Sequence, residues 1–381
     1  MRFLTAGESH GKALSLIIEG LPAGIELTAE EINKRLQRRQ GGYGRGGRMK
    51  IEKDKAEILS GVRDGKTLGS PLAIMIENKD WENWQRIMAV EAAETEEKAV
   101  YRPRPGHADL PGALKYRQED VRNILERASA RETTTRVAIG AVAGAFLSHF
   151  SVESGLRVMQ VGRVKAKENP EWPGEDIYQS PLYCQDSEAE QEMIQAIDEA
   201  REKGDTLGGV FEIRVRNLPP GLGSHVHWER KLDGLLAQAV MSIPGIKAVE
   251  IGAGLRFAEE WGSELHDQIA YSKERGYYHC SNNSGGIEGG ISNGEELWLR
   301  AVMKPIPTLY TPLASVDFRT KDKSLAAVER SDISVVPAAA VVAEAMVLWV
   351  LAEEWAVKFG GDHLEEIRKN FENYLDYLQG R

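Results

Sequence analysis

A chain of 381 residues, 42% hydrophobic and 28% charged, has the composition of a soluble globular protein and the length for one large domain or roughly two to three ordinary ones. Its formal charge of −10 argues against a dedicated nucleic-acid binder, and Cys184 and Cys280, far apart and without Cys-x-x-Cys spacing, suggest neither zinc nor a disulfide framework. MRFLTAGESHG lacks a signal-peptide pattern, and the most apolar run, 337–352, contains Glu344 and is short for a membrane span, so a cytoplasmic protein with no membrane partner is expected.

Residues 2–6 (RFLTA) and 14–19 (LSLIIE) read as strands around Gly7-Glu8-Ser9-His10-Gly11. Two glycines place the Ser-His pair in a tight turn, which is either a polar hairpin or a device that presents His10. Leu21-Pro22-Ala23-Gly24 is a second turn. Thr28 and Glu31 make a capping box with Leu27 and Ile32 at staple positions, so a helix begins at residue 29.

That helix runs into residues 34–50, where seven basic side chains and five glycines occur without an acid. A glycine-rich basic loop suits a small polyanion, since arginine's planar fork matches phosphates and carboxylates. A solvated loop and an RGG-type RNA contact are the alternatives. The single aromatic, Tyr43, ranks RNA last.

Strands are expected at 56–60 and 71–77, then an acidic, tryptophan-bearing surface excursion over 80–99. Arg102-Pro103-Arg104-Pro105-Gly106-His107-Ala108-Asp109 is a stiff loop, in which His107 is either an exposed loop residue or a proton-transfer group.

Residues 125–150 organise the chain. From 133 to 150 they are apolar all round, as in a helix buried on every side. Arg127, Ser129, Arg131 and Glu132 crowd its entrance, with Ser129 and Glu132 spaced as a capping box. This is either an anion site at a helix N-terminus or a local cap with ion pairs.

Strands follow at 156–168 and 210–216, with an amphipathic helix over 187–203 ended by Gly204. A helix over 229–242 stops at Pro244-Gly245, and a strand follows at 246–252. In residues 284–291 paired glycines would let a flat ligand lie on bare backbone. A strand at 297–304 leads to the rigid Pro305-Ile306-Pro307-Thr308. Asp332, after Arg330 and Ser331, is a base or an ion-pair partner. Pro337 opens a core helix, and 362–379 is a terminal amphipathic helix. Leu-Pro-Ala-Gly at 21–24 echoes Leu-Pro-Pro-Gly at 218–221, and Thr67-Leu68-Gly69 echoes Thr206-Leu207-Gly208, which makes an internal pseudo-repeat a candidate. No metal-ligand cluster is evident, and His225 with His227 lacks a third ligand.

Taken together the loops resemble one family. GESHG at 7–11, RPGHAD at 104–109, RASARET at 127–133 and RSD at 330–332 occur in the order found in chorismate synthases, with GLPAG, SGV, GGIEGGIS and MKPIPT between them. The likeness runs over nearly the whole chain. It implies an α+β fold, a single domain over 1–381 in which a helical core layer lies between antiparallel sheets, a β-α-β sandwich. It implies a phosphate lyase of the shikimate pathway, converting 5-enolpyruvylshikimate 3-phosphate to chorismate by net 1,4-elimination. Reduced FMN is required without net redox change, lending an electron transiently. The flavin is reduced either by NADPH on the protein or by a separate flavin reductase. A cytoplasmic homotetramer is implied, with no nucleic-acid partner and no metal.

Position by position, His10 resembles the histidine near the leaving phosphate, His107 the one that manages protonation of the reduced flavin, and Asp332 the carboxylate that assists removal of the ring proton. Arg39, Arg45 and Arg48 resemble anion-binding positions for substrate or NADP, and Arg131 is a further substrate candidate. Flavin contacts would fall on Arg127, Ala128, Ser129, Pro244, Gly245, Gly289, Lys304, Pro305, Ile306, Pro307, Thr308 and Arg330. The chain departs from the usual pattern at Ser331, where many members have histidine, at Asn283-Ser284 in place of His-Ala, and at Pro244-Gly245 in place of Asn-Ala. An ordinary FMN oxidoreductase is the rival enzyme reading.

Overall fold

Alternation along the chain builds the first sheet. In the computed structural model, which describes residues 1–47, 52–91 and 97–380, β1 (Arg2–Ala6) and β2 (Ala13–Glu19) flank the His10 turn. Leu14, Leu16 and Ile18 of β2 face the core and their neighbours face out, as period-two side chains must. With β3 (Ala56–Ser60) and β4 (Leu72–Glu77) the antiparallel order is β1-β2-β4-β3. Helix α1 (Ala29–Gln40) leaves the sheet through the capping box of Thr28 and Glu31.

The second sheet has β5 (Glu153–Val161), β6 (Gly209–Arg216), β7 (Ile246–Ile251) and β8 (Leu297–Met303) in the antiparallel order β5-β6-β8-β7. The strand expected over 156–168 breaks at Gly162, whose φ of +57° suits glycine, and resumes as the short pair Val164–Lys165.

Two short helices were not legible: α2 (Asp109–Tyr116) and α3 (Arg122–Ala128). The core helix α4 therefore begins at Thr133, ending at Ser148, after a single 3-10 turn, Ala130–Glu132. The capping box expected at its entrance does not form. Ser129 Oγ does accept from Arg131 N–H at 3.3 Å, but the Glu132 carboxylate pairs with Arg136 at 3.0 Å instead of reaching back.

Helices α5 (Ser187–Glu202) and α6 (Leu232–Met241) follow the expected ranges, and α7 (Val336–Phe359) is longer than its apolar run. Although α7 passes for a membrane span by length and composition, 94% of its apolar window is buried inside the protein. Its one charged core residue, Glu344, accepts from Arg35 at 3.1 Å and from Ser154 Oγ at 2.6 Å, as a buried carboxylate must.

Helices α4 and α7 pack against each other so closely that a Cβ at Gly140 would stand 2.2 Å from that of Ala345. Helix α4 also touches β2 and α1, while α7 touches β5, β6 and α6. One connected apolar core runs through both sheets and these helices. The terminal helix α8 (Leu364–Gln379) packs on α7.

Candidate active site

The turn after β1 is forced by Gly7: at φ +110°, a Cβ there would lie 2.5 Å from the Ala13 carbonyl. The turn delivers His10 onto α3. Glu126 accepts from the His10 backbone N–H at 2.8 Å, and the ring Nδ1 lies 2.9 and 3.0 Å from its two oxygens. Burial opposes ionisation of Glu126, but hydrogen bonds from His10 and the charge of Arg122 outweigh it and hold the carboxyl below its usual range. Trp84 stacks on the His10 ring at 3.8 Å and 20°. The start of the expected surface excursion is thus core: Asp80 and Trp84 are buried because the indole covers a histidine.

The second histidine is built the same way. Asp109, fully buried, accepts from His107 Nδ1 at 2.5 Å and from Arg104 Nε at 2.8 Å, while Arg104 Nη1 reaches Thr308 Oγ1 at 2.8 Å. Burial works against the charge on Asp109, yet the bonds from His107 and Arg104 hold its carboxyl well below the usual carboxylate range. The sequence shows Asp109 two residues from His107 without its role; the structure places its carboxylate against both His107 and Arg104.

Asp332 receives the Gly46 N–H at 2.5 Å and faces Arg45 at 3.6 Å, so the glycine-rich loop closes on it. Arg39 is buried, donating to Thr133 Oγ1 at 3.0 Å and to the Ala130 carbonyl at 2.8 Å. Desolvation lowers its pKa to about 10 against the pull of Asp54, which leaves it charged at neutral pH. Arg131 pairs with Asp54, lies 3.5 Å from Glu52 and donates to Asn78 at 2.8 Å. Arg330 donates to Asp80 at 2.6 Å. Lys304 donates to the Gly106 carbonyl rather than to a carboxylate, and burial, then Lys247, pulls its pKa down.

These groups line one cavity of about 410 Å³, within the range of small-molecule sites. It takes in His10, His107, Asp332, Arg39, Arg45, Arg131, Ala128, Ser129, Pro244, Gly245, Lys304, Pro305, Ile306, Pro307, Thr308 and Arg330. Ser9 Oγ and Ser129 Oγ meet at 3.1 Å on its wall.

Two expected contacts are not brought there. Arg127 turns away and braces the His10 turn, donating to the Gly7 and Thr5 carbonyls at 3.0 and 3.1 Å. Gly289 sits in a small hairpin between Ile287–Glu288 and Ile291–Ser292, near His225. The paired glycines there serve close packing, since a Cβ at Gly290 would lie 2.6 Å from the Lys231 side chain. Arg48 lies outside the described residues. Sequence reasoning missed Trp84, Arg104 and Glu126 as site residues, and gave Asp109 no role although it stands in the RPGHAD motif. Among the described residues no group of three or more His, Cys, Asp or Glu is placed to hold a metal.

The chain is similar to known proteins over its whole length. The family model for chorismate synthase matches residues 1–356. The chain is 59% identical over 380 residues to a chorismate synthase of Moorella thermoacetica, covering 100% of this chain and 99% of the relative. It is 57% identical over 390 residues to that of Geobacter sulfurreducens, with the same coverage. A solved structure described as "Crystal Structure of Chorismate Synthase" matches with a TM-score of 0.81 at 45% identity, over 100% of this chain and 98% of that one. With the motifs in order, the histidines in one cavity and relatives this similar along their whole length, the chain belongs to the chorismate synthase family.

Proposed function

We propose that this cavity is where the chain converts 5-enolpyruvylshikimate 3-phosphate to chorismate, with loss of phosphate and of a ring proton. The observation that carries the assignment is convergence. His10, His107 and Asp332 come from three distant segments, and Arg39, Arg45 and Arg131 meet them in one partly enclosed space. A phosphate and two carboxylates require several fixed cations, and a water-poor site makes each count for more.

The residues present fit a flavin. Pro244, Gly245, Pro305, Ile306 and Pro307 give the cavity an apolar wall, and a side chain at Gly245, φ +91°, would press on Met303 at 3.0 Å. Lys304, which donates to the Gly106 carbonyl and has no carboxylate partner among the described residues, is our candidate for the FMN phosphate. When bound, reduced FMN supplies transient electron density that helps the allylic phosphate leave, with no net redox change. The protein's own groups do the rest. His10 holds a proton toward the departing phosphate, having Nδ1 committed to Glu126. His107 governs protonation at the wall formed by residues 304–308, to which Arg104 ties it through Thr308. Asp332 takes up the proton that the ring loses. We assign Arg39 and Arg45 to substrate in preference to NADPH, because the substrate's three anionic groups need partners.

We read the chain as a single domain over 1–381 made of two related halves facing each other across helices α4 and α7. Three observations support this. The four long strands of each sheet share one order, first-second-fourth-third, with a helix between the second and third, and the second sheet adds the short strand Val164–Lys165 beside β5. At the first Leu-Pro-x-Gly turn, Thr67 Oγ1 donates to the Pro22 carbonyl at 2.6 Å and Gly24 N–H to Thr67 O at 2.9 Å. At the second, Ser292 Oγ donates to the Pro219 carbonyl at 2.7 Å and Gly221 N–H to Ser292 O at 2.8 Å. A homotetramer would cover the outer face of the first sheet, where Leu4 and Ile17 stand side by side, 69% and 47% exposed. A cytoplasmic setting suits the free thiols of Cys184 and Cys280.

The test is anaerobic: chemically reduced FMN and 5-enolpyruvylshikimate 3-phosphate are supplied, and chorismate and phosphate are measured. Equal amounts of both are expected, with the flavin still reduced. No product, or stoichiometric oxidation of flavin, refutes the assignment, the latter in favour of an ordinary oxidoreductase.

A further inference from the structure

Glu126 and Arg122 are charged residues, yet 3% and 5% exposed, on a seven-residue helix. A buried carboxylate persists only with strong partners. Glu126 has four contacts of this kind: the His10 backbone N–H at 2.8 Å, the His10 ring at 2.9 and 3.0 Å, and Arg122 Nη1 at 3.0 Å. Its own carbonyl receives the Ser9 N–H at 3.0 Å. The turn that carries His10 is thus fastened to one residue by backbone and side chain together.

The fastening continues as a closed ring. Arg122 Nη2 donates to Glu329 at 2.9 Å, and the next residue, Arg330, donates to Asp80 at 2.6 Å. Asp80 accepts from Trp84 Nε1 at 3.3 Å, and Trp84 stacks back on His10. Lys98 lies over the same indole at 3.9 Å. The ring thus gathers charged groups from several elements around His10: Glu126 and Arg122 from α3, Asp80 and Lys98 beside the indole, and Glu329 and Arg330 from the segment ending in Asp332.

We infer that Glu126 is a positioning residue for the elimination: its carboxylate holds the His10 ring with Nδ1 turned inward and Nε2 toward the cavity, and Arg122 locks that carboxylate to the segment that carries Asp332. This rests on the assignment of His10 to the departing phosphate. The group that meets the leaving phosphate and the group that takes the ring proton are thereby held by one ion network. A histidine free to turn about its Cβ bond would lose that alignment, and misplacement of a catalytic group by about 1 Å can cost about 100-fold in rate.

The experiment has two arms. The first reads His10's position without substrate or flavin. The chain has eight tryptophans, so Trp84 emission is taken as the difference between each protein and the same protein carrying Trp84→Phe. A histidine ring stacked on an indole at 3.8 Å alters its emission, and His10→Ala sets the level without the ring. Glu126→Gln is expected to move Trp84 at least half of the way to that level, and Glu126→Asp to stay near wild type. The second arm is the anaerobic assay. Glu126→Gln should lower kcat about tenfold or more with KM nearly unchanged, and Glu126→Asp should recover most of the loss, since general acid groups contribute about 10²–10⁴-fold. Wild-type emission in Glu126→Gln, or wild-type kcat despite a displaced ring, overturns the inference. If the first arm responds while His10→Ala keeps full activity, it is the role given to His10 that fails, and Glu126 positions a residue the reaction does not use.

Discussion

Replacing Asp109 by asparagine keeps its shape and removes its charge, which makes Asp109→Asn the sharpest test of how the His107 corner is held. The wild-type carboxylate accepts the Arg104 backbone N–H at 3.0 Å, Arg104 Nε at 2.8 Å, Arg104 Nη2 at 3.1 Å and His107 Nδ1 at 2.5 Å. In the variant one oxygen becomes an NH₂ that faces donors. Arg104 keeps Thr308 Oγ1 and loses its counter-charge. Breaking a buried pair from one side costs about 3–5 kcal/mol, and the surviving bond to Thr308 places the expectation at the lower end, about 3 kcal/mol. The pH dependence carries a definite sign. The folded carboxyl lies below its ordinary value of 3.8, so its stabilisation is fully present above that pH and is lost as the pH falls through the folded value. The stability gap between wild type and variant should stay flat through neutral pH and narrow below about pH 4. Denaturant midpoints measured over a pH series give the gap. Turnover should fall by about 10²-fold, because His107 loses the acceptor that orients it. A variant within about 1 kcal/mol of wild type at neutral pH, or a gap that widens in acid, would refute the reasoning.

Gly140→Ala should destabilise the fold by about 1–3 kcal/mol, since overpacking against Ala345 outweighs the roughly 1 kcal/mol that alanine adds to a helix; chemical denaturation measures it, and a stabilised variant would show that the α4–α7 contact gives way. Arg45→Ala should raise KM for the substrate about tenfold or more, the worth of a charge-assisted hydrogen bond; steady-state kinetics with reduced FMN check this, and a KM within about twofold of wild type removes Arg45 from the substrate site. Lys304→Gln should shrink the preference for FMN over riboflavin by about tenfold, read by quenching of flavin fluorescence on titration. An unchanged preference would place the flavin phosphate elsewhere.

The parts of the fold that could be read in advance share a cause: one face was buried and the other was not. Period two in ALSLIIE and VFEIRVR, and the capping box before α1, leave an imprint because solvent contrast alternates along the chain. Helix α3 lacks that contrast. Its Arg122 and Glu126 resemble surface residues in composition, yet both are interior, each satisfied by partners more than 100 residues away. The capping box of Ser129 and Glu132 failed for a similar reason. The spacing was right, but Glu132 found Arg136 one turn on, and the Ser129 hydroxyl was shared with Ser9. Local rules assume local partners, and a site assembled from distant segments supplies others.

The same point governs what the motifs could convey. GESHG, RPGHAD and RSD identify which residues meet, but not the electrostatic state in which they meet. The cavity brings its arginines already matched: Arg39 and Arg131 to Asp54, Arg45 to Asp332, Arg104 to Asp109, Arg330 to Asp80. This follows from burial, since an unmatched guanidinium in a closed site would be too costly to keep. Arg45 differs from the rest in its setting, on the glycine-rich loop, 3.6 Å from a carboxylate that also receives the Gly46 N–H. Arg39 and Arg131, fixed by α4 and by buried acids, serve as the rigid floor. The basic stretch that composition alone singled out thus divides between an arginine held against the entrance of α4 and one that faces Asp332 from the glycine-rich loop.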